Sequence, residues 1–447
     1  MKIQQFEDKG LAHYSYAILS ECQREIVLID PARDPQPYYD YAEANEAKIV
    51  GVIETHPHAD FVSSHLEIHE TTGATIYAHS LVGADYPHQA LEEGVVLQLG
   101  KIRLKSLHTP GHSPDGISIV LEHEGKDKAV FTGDTLFIGD VGRPDLRESA
   151  GNITAKREEL ARQMYHSTRE KLMRLDDDVL VYPAHGAGTL CGKGLSEANS
   201  STIGAEKKSN YALQEMSEDQ FVQVLLEDQP FVPQYFGYDV ELNKKGAPAY
   251  KLSMARVTKL AKNFKPEKDS LIIDARDEKT FKSGHYQGAI NIQNGGKFET
   301  WLGSIIAPGE RFYLVAANEQ ELDELIAKAA KIGYELLIQG AFVLEAAAEK
   351  QSPVIDLVAF RAHPDRYTNV DVRNESEVKA GKFFEQAINI PLPRLRERVQ
   401  EIPTDKLVVV HCAGGYRSAA GSSIVEAALP EVKVLDLSEA INTFEKA

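Results

Sequence analysis

Two stretches of this chain carry side chains that can do covalent or metal chemistry. Residues 410–418 read Val-His-Cys-Ala-Gly-Gly-Tyr-Arg-Ser, with Cys412 ahead of a glycine-rich turn and Arg417 at its far end. Far upstream stands Thr55-His56-Pro57-His58-Ala59-Asp60-Phe61. A cysteine at a strand-to-helix switch meets convergent backbone N–H groups and the positive end of a helix dipole. Both lower a thiol's pKa and stabilise an anion attached to it. Arg417 adds a charge that does not titrate. The upstream motif places metal-ligand residue types just after the apolar run 49–54. Three further motifs repeat that placement: Thr109-Pro110-Gly111-His112, then Phe131-Thr132-Gly133-Asp134, then Tyr182-Pro183-Ala184-His185. Any one of these histidines alone is more often a surface or core residue than a ligand. Their ordered occurrence at strand ends lets them converge at one end of a sheet.

The elements that must position these groups form three segments. Over residues 1–235, β-branched runs at 14–19, 25–29, 49–54, 102–108, 117–121, 128–132 and 179–182 alternate with polar helical stretches. The runs 117–121 and 128–132 are joined by a hairpin-like connection over 122–127. Residues 155–175 read as a helix with Leu160, Met164 and Leu172 on its apolar side. Residues 236–262 turn Gly-, Lys- and Asn-rich around Asn243-Lys244-Lys245-Gly246 and read as a linker.

The remainder is an internal repeat. Asp274, Arg276 and Glu278 match Asp371, Arg373 and Glu375, and Ala289-Ile290-Asn291-Ile292 matches Ala387-Ile388-Asn389-Ile390 at nearly the same offset. Duplication explains this better than chance, giving two parallel α/β units at 263–352 and 353–447. Only the second holds a cysteine. In the first, the strand 311–315 runs into Ala316-Ala317-Asn318-Glu319, and no cysteine occurs in 236–350.

Bulk properties set limits. A length of 447 residues allows two to four domains, and a net charge of −18 speaks against nucleic acid or an anionic membrane as partner. The N-terminus lacks an apolar signal core, no apolar run approaches 18 residues, and the three cysteines (Cys22, Cys191, Cys412) do not form a disulfide framework. These features read as a cytoplasmic protein without a membrane segment.

The size of the cysteine loop brings in a resemblance. Tyrosine-phosphatase-like loops place five residues between Cys and Arg, whereas only Ala413, Gly414, Gly415 and Tyr416 intervene here. This smaller ring resembles that of rhodaneses, sulfurtransferases that carry one extra sulfur on the cysteine, and the likeness spans about residues 360–447. It implies Cys412 as nucleophile, Arg417 as its charge partner and Ala413–Tyr416 as the cradle for the transferred group. The cysteine-free copy resembles an inactive rhodanese-homology domain. The upstream motifs resemble the metallo-β-lactamase superfamily over residues 1–235. The implied fold is α/β: an N-terminal metallo-β-lactamase αββα sandwich followed by two rhodanese-like α/β domains with parallel sheets.

Hydrolases of that superfamily use His-x-His-x-Asp-His to hold two zinc ions, and here Phe61 stands where the last histidine would be. A phenyl ring cannot ligate, so a dizinc site has lost a donor. The whole chain resembles persulfide dioxygenase–sulfurtransferase fusions of bacterial sulfide detoxification. That likeness implies one Fe(II) per chain on His56, His112 and Asp134, with His58, Asp60 and His185 around it. Two histidines and one carboxylate leave open positions for a thiolate-type substrate and O₂. The implied reactants are a low-molecular-weight thiol persulfide (of coenzyme A, bacillithiol or glutathione), O₂ and sulfite, and the implied assembly is a homo-oligomer, dimer or tetramer. Arg143 is a candidate for gripping an anionic part of the thiol, with a structural ion pair as the alternative. The loop Gly186–Gly194 could form an anion nest with Lys193 as a charge contact, while Cys191 is either a relay thiol or an inert small residue. Two other readings stay open: a dizinc thioesterase of the glyoxalase II type fused to a sulfurtransferase, and a non-enzymatic sulfur relay.

Overall fold

A computed structural model describes residues 1–148, 156–345 and 349–446. The chain divides into two compact units, Met1–Ser253 with Ala330–Gly333, and Met254–Ala329 with Tyr334–Ala447.

The first unit holds two six-stranded sheets. One runs in the order Lys2–Asp8, His13–Ser20, Glu25–Ile29, Lys48–Ile53, Thr75–Ala78, Gln89–Ala90. The other runs Ser201–Thr202, Leu180–Pro183, Lys126–Gly133, Ile117–His123, Ile102–His108, Val96–Leu99. Their facing sides share one core, in which Ile18, Val27, Ile29 and Ile53 meet Ile102, Leu104, Ile119 and Phe131. The alternate residues of the same strands point outward: Ala17, Leu19, Ile26 and Leu28 pack against Tyr38 and Ile68, from the helices Gln36–Ala44 and His65–Thr72. On the second sheet Val120, Val130 and Val181 pack against Ala161, Met164 and Phe221, from the helices Arg157–His166 and Glu218–Leu226. The period-2 alternation of strands covered on both faces thus produces the αββα sandwich. Burying a side chain such as Ile119 or Phe131 contributes on the order of 1.5–3 kcal/mol.

The strands read from the sequence fall within one or two residues of the observed ones. The hairpin is tighter than expected: the strands pair as far as Lys126 opposite His123, leaving Glu124 and Gly125 as the turn, both at positive φ. The helix expected over 155–175 begins at Arg157 and loosens into a π turn at Ser167–Lys171 and a 3₁₀ turn at Leu172–Arg174, residue 155 lying outside the described residues.

The expected linker over 236–262 is corrected by the structure. It contains the helices Phe236–Lys245 and Tyr250–Ala255, and Phe236, Val240, Asn243 and Lys244 are buried. Its polar composition suggested a loop, yet two of its polar side chains, Asn243 and Lys244, are buried on the first of these helices.

The second unit holds two four-stranded, all-parallel sheets with the same strand order. The repeated residues make the same bonds twice. Arg276 clasps Asp274 and Arg373 clasps Asp371, each Nη2–Oδ2 contact being 2.6 Å. Asn291 donates to the carbonyls of Asp274 and Arg276, and Asn389 to those of Asp371 and Arg373. Among the described residues no helix is long and apolar enough to cross a membrane.

Candidate metal centre and cysteine loop

Each upstream motif leaves the end of a strand: His56, His58 and Asp60 follow Lys48–Ile53, His112 follows Ile102–His108, Asp134 follows Lys126–Gly133, and His185 follows Leu180–Pro183. All six are buried. The ligand atoms of His56, His112 and Asp134 lie within 4.8 Å of one another, and those of His58, Asp60 and His185 do likewise. Asp134 faces both groups. Its Oδ2 is 3.4 Å from His112 Nε2 and 3.8 Å from His56 Nε2, while its Oδ1 is 3.5 Å from His185 Nε2. Among the described residues neither oxygen of Asp134 accepts a hydrogen bond from an N–H or O–H group. A buried carboxylate left so costs free energy unless a cation meets it, so the residues present fit a metal ion.

The surrounding bonds set the tautomers. The Thr55 hydroxyl donates to Asp30 Oδ2 at 2.8 Å and lies 3.0 Å from His56 Nδ1. With its only proton given to Asp30, it accepts from Nδ1–H, leaving the Nε2 lone pair of His56 for a metal. His112 Nδ1 donates to the Arg143 carbonyl at 2.9 Å, and His185 Nδ1 donates to the Ala12 carbonyl at 3.2 Å, with the same consequence. Burial, reinforced by neighbouring histidines, holds His56 well below the ordinary imidazole range, and burial also lowers His112 despite Asp134. Both are therefore neutral donors. Gly142 permits the close packing here, since a Cβ at that position would lie 1.9 Å from the Asp134 carbonyl oxygen and 2.9 Å from His112 Nδ1.

His58 differs from these. Its Nε2 lies 3.1 Å from Asp30 Oδ1. Burial opposes its charge, but Asp30 and then Glu54 outweigh burial and push its pKa up to about 9. Phe61 is buried with its ring centroid 4.3 Å from that of His58 and 3.8 Å from that of His13. Sequence reading missed His13, Asp30 and Asn243. Asp30 had a signal, because it too follows a strand directly; Asn243 had none. The Asn243 amide donates to the carbonyls of His58 and Phe61 and accepts from Ser63 N–H, fixing the ligand loop.

In the second unit the buried strand Val408–His411 delivers Cys412, and the helix Tyr416–Ala428 follows. Gly415 N–H donates to Cys412 Sγ at 3.1 Å, and among the described residues no side chain caps this helix, so its first amides are open to an anion. Arg417 grips both oxygens of Glu377, at 2.6 and 2.7 Å. The charge at the end of the loop is thus half of an ion pair, and Glu377 is a residue the sequence did not disclose. The cysteine-free copy is built differently at the same place. Asn318 Oδ1 accepts from Glu321 N–H and its amide donates to Glu321 Oε1, so side chains fill the start of the helix Glu319–Lys331.

Comparisons with known proteins agree with this division. The metallo-beta-lactamase superfamily model matches residues 9–185, and the rhodanese-like domain model matches residues 358–440. The persulfide dioxygenase ETHE1, mitochondrial, of Bos taurus is 30% identical over 248 residues, covering 54% of this chain and 87% of the relative. The chain belongs to the metallo-beta-lactamase superfamily. A solved metallo-beta-lactamase from Staphylococcus aureus is 31% identical with a TM-score of 0.69, over 76% of this chain and 98% of that one. A cytoplasmic hydroxyacylglutathione hydrolase of Arabidopsis thaliana is 34% identical over 176 residues, 39% of this chain and 63% of the relative.

Within the metallo-beta-lactamase unit, two expected substrate contacts are corrected. Arg143 is buried, and all five of its guanidinium N–H groups are used: Asp145 takes two, and the carbonyls of Leu190, Phe231 and Pro230 take the others. The ion-pair alternative holds, and no donor remains for a thiol cofactor. Lys193 Nζ donates to the carbonyls of Val224 and Glu227, where the helix Glu218–Leu226 ends. The glycine loop does hold an anion, but it is the chain's own: Asp140 Oδ2 accepts from Lys193 N–H and Gly194 N–H, both at 2.8 Å. Cys191 is buried beside Asp134 and His185. Burial, then the Asp60 and Asp134 carboxylates, raise its thiol well above the ordinary range, which keeps it protonated and poorly nucleophilic.

Proposed function

We propose that the first unit is a non-haem Fe(II) persulfide dioxygenase and that the Cys412 domain is a thiosulfate-forming sulfurtransferase. The observation that carries the reading is the buried His56–His112–Asp134 set beside Phe61. It offers two neutral imidazoles and one carboxylate, with an aromatic ring where a second metal would need a donor. The persulfide dioxygenase relative supports the same reading. Bound there, Fe(II) would supply the redox chemistry that joins O₂ to a sulfur. The chain's own residues hold and orient. Thr55, the Arg143 carbonyl and Asn243 fix the ligands and their loop, and His58 stands next to the site with its Nε2 3.1 Å from Asp30 Oδ1.

Overall, RSSH, O₂ and H₂O give RSH, sulfite and two protons. In the second unit the Cys412 thiolate attacks the outer sulfur of another RSSH. The new S–S bond leaves Cys412 as a persulfide, and the departing thiolate takes a proton to become RSH. Sulfite then attacks that outer sulfur, forming the S–S bond of thiosulfate and releasing the Cys412 thiolate and a proton. The Gly415 amide and the open helix start stabilise the anionic sulfur throughout. The protein is read as cytoplasmic and homo-oligomeric, with all three cysteines free.

A second reading has one observation in its favour: Asp134 also faces His185, as a carboxylate bridging two metals would, and a hydroxyacylglutathione hydrolase is among the relatives. Oxygen uptake by the iron-loaded protein against glutathione, coenzyme A and bacillithiol persulfides decides between the two. Uptake with about one iron per chain supports the dioxygenase, and thioester hydrolysis with two zincs supports the hydrolase.

A further inference from the structure

The Cys412 loop is held from outside its own sheet. The Tyr416 hydroxyl, inside the loop, donates to the Gln293 carbonyl of the cysteine-free copy at 2.7 Å. The Gln293 side chain in turn accepts from Glu278 N–H at 3.0 Å. Glu278 opens the helix Glu278–Ser283, and its carboxylate accepts from the Ser438 hydroxyl. Ser438 returns the contact to the loop. Gly415 has φ +105°, and a Cβ there would meet the Ser438 carbonyl carbon at 3.1 Å and Glu439 N at 3.0 Å. Gly415 is also the residue whose amide faces Cys412 Sγ. The helix that starts at the loop is fixed further along by Ser423 Oγ, which accepts from Asn291 N–H at 2.9 Å. Lys282 pairs with Asp436 at 2.7 Å beside the same latch.

We propose that the cysteine-free copy is the fixed half of the sulfur-transfer site, with Glu278 and Gln293 as positioning residues that hold Tyr416 and Gly415 in the anion-binding shape. The proposal rests on the sulfur-transfer reading above for its consequence but not for its geometry. It explains why a copy without a nucleophile keeps Glu278 at the Asp-x-Arg-x-Glu motif and the strand Ile290–Asn291 against its neighbour's helix. Loss of a fixed amide near a reacting atom costs rate out of proportion to the distance moved.

The test uses the full chain as Glu278→Ala, Glu278→Gln and Tyr416→Phe, with two readouts: thiosulfate formation from persulfide and sulfite, and the pH profile of Cys412 alkylation by iodoacetamide. Glu278→Ala and Tyr416→Phe should each lower kcat for thiosulfate by about tenfold and move the alkylation profile to higher pH. Glu278→Gln keeps an oxygen acceptor for Ser438 and should stay near the parent, and O₂ uptake should not change in any of the three. Parent-like alkylation and turnover in both Glu278→Ala and Tyr416→Phe would overturn the proposal, as would lost turnover with an unmoved alkylation profile. If the parent itself makes no thiosulfate while Glu278→Ala still shifts the profile, the latch stands and the sulfurtransferase assignment fails.

Discussion

The ring of Phe61 lies 3.8 Å, centroid to centroid, from that of His13, which in turn lies 5.6 Å from the ring of His185, whose Nε2 is 3.4 Å from Asp60 Oδ2. An apolar ring against a neutral histidine leaves that second group one donor short. Phe61→His should therefore raise metal content in zinc-loaded protein from about one towards two per chain. Quantifying bound metal after desalting checks this, and unchanged stoichiometry would remove Phe61 from the account.

Metal retention should depend unequally on the buried residues. Alanine at His56, His112 or Asp134 should empty the site, whereas alanine at His58 should leave most of the metal in place. Thr55→Val, which releases His56 Nδ1, should weaken affinity by about 10- to 100-fold. Metal analysis together with competitive chelation gives both answers. Equal stripping by His58→Ala and His112→Ala would break the ligand assignment.

Arg143→Ala should act on stability and not on substrate affinity. It leaves the Asp145 carboxylate and three carbonyls without their donors, at a cost of about 3–5 kcal/mol. Urea titration reads the loss, and the KM for persulfide in the folded fraction should stay at the parent value. A raised KM with unchanged stability would restore the substrate role.

Acid should loosen the cysteine loop. Burial would raise the Glu377 carboxyl, but Arg417 outweighs it and holds the pKa below the ordinary carboxylate range. A carboxylate depressed on folding stabilises the native state fully above its unfolded value, about 4.3, and loses that contribution as pH falls through the folded one. Glu377→Gln should flatten this acid-side slope of stability, measured by thermal melts from neutral to acidic pH. An unchanged slope would mean that the pair contributes nothing.

Much of this architecture is legible in the sequence because it depends on local pattern. Strands such as Glu25–Ile29 and Val408–His411 announce themselves as β-branched runs, and the candidate ligand residues follow strand ends. The repeated Asp-x-Arg and Ala-Ile-Asn-Ile residues announce the duplication because each copy uses them for the same backbone bonds. What stays hidden depends on partners distant in the chain. Arg143 resembled a ligand-gripping cation until the carbonyls of Pro230 and Phe231 met it. Lys193 did so until the end of a later helix met it. Asn243 sat in linker-like composition while anchoring the ligand loop, and nothing local marks Glu377 as the partner of Arg417.

The most direct test of the whole account is oxygen uptake with product analysis on the iron-loaded Cys412→Ser variant supplied with a thiol persulfide. Serine keeps the loop's shape but is a far weaker nucleophile at neutral pH. The variant should consume O₂ at the parent rate while its product shifts from thiosulfate to sulfite. Absence of O₂ uptake from parent and variant alike, or thiosulfate formed by the variant at the parent rate, would contradict the account.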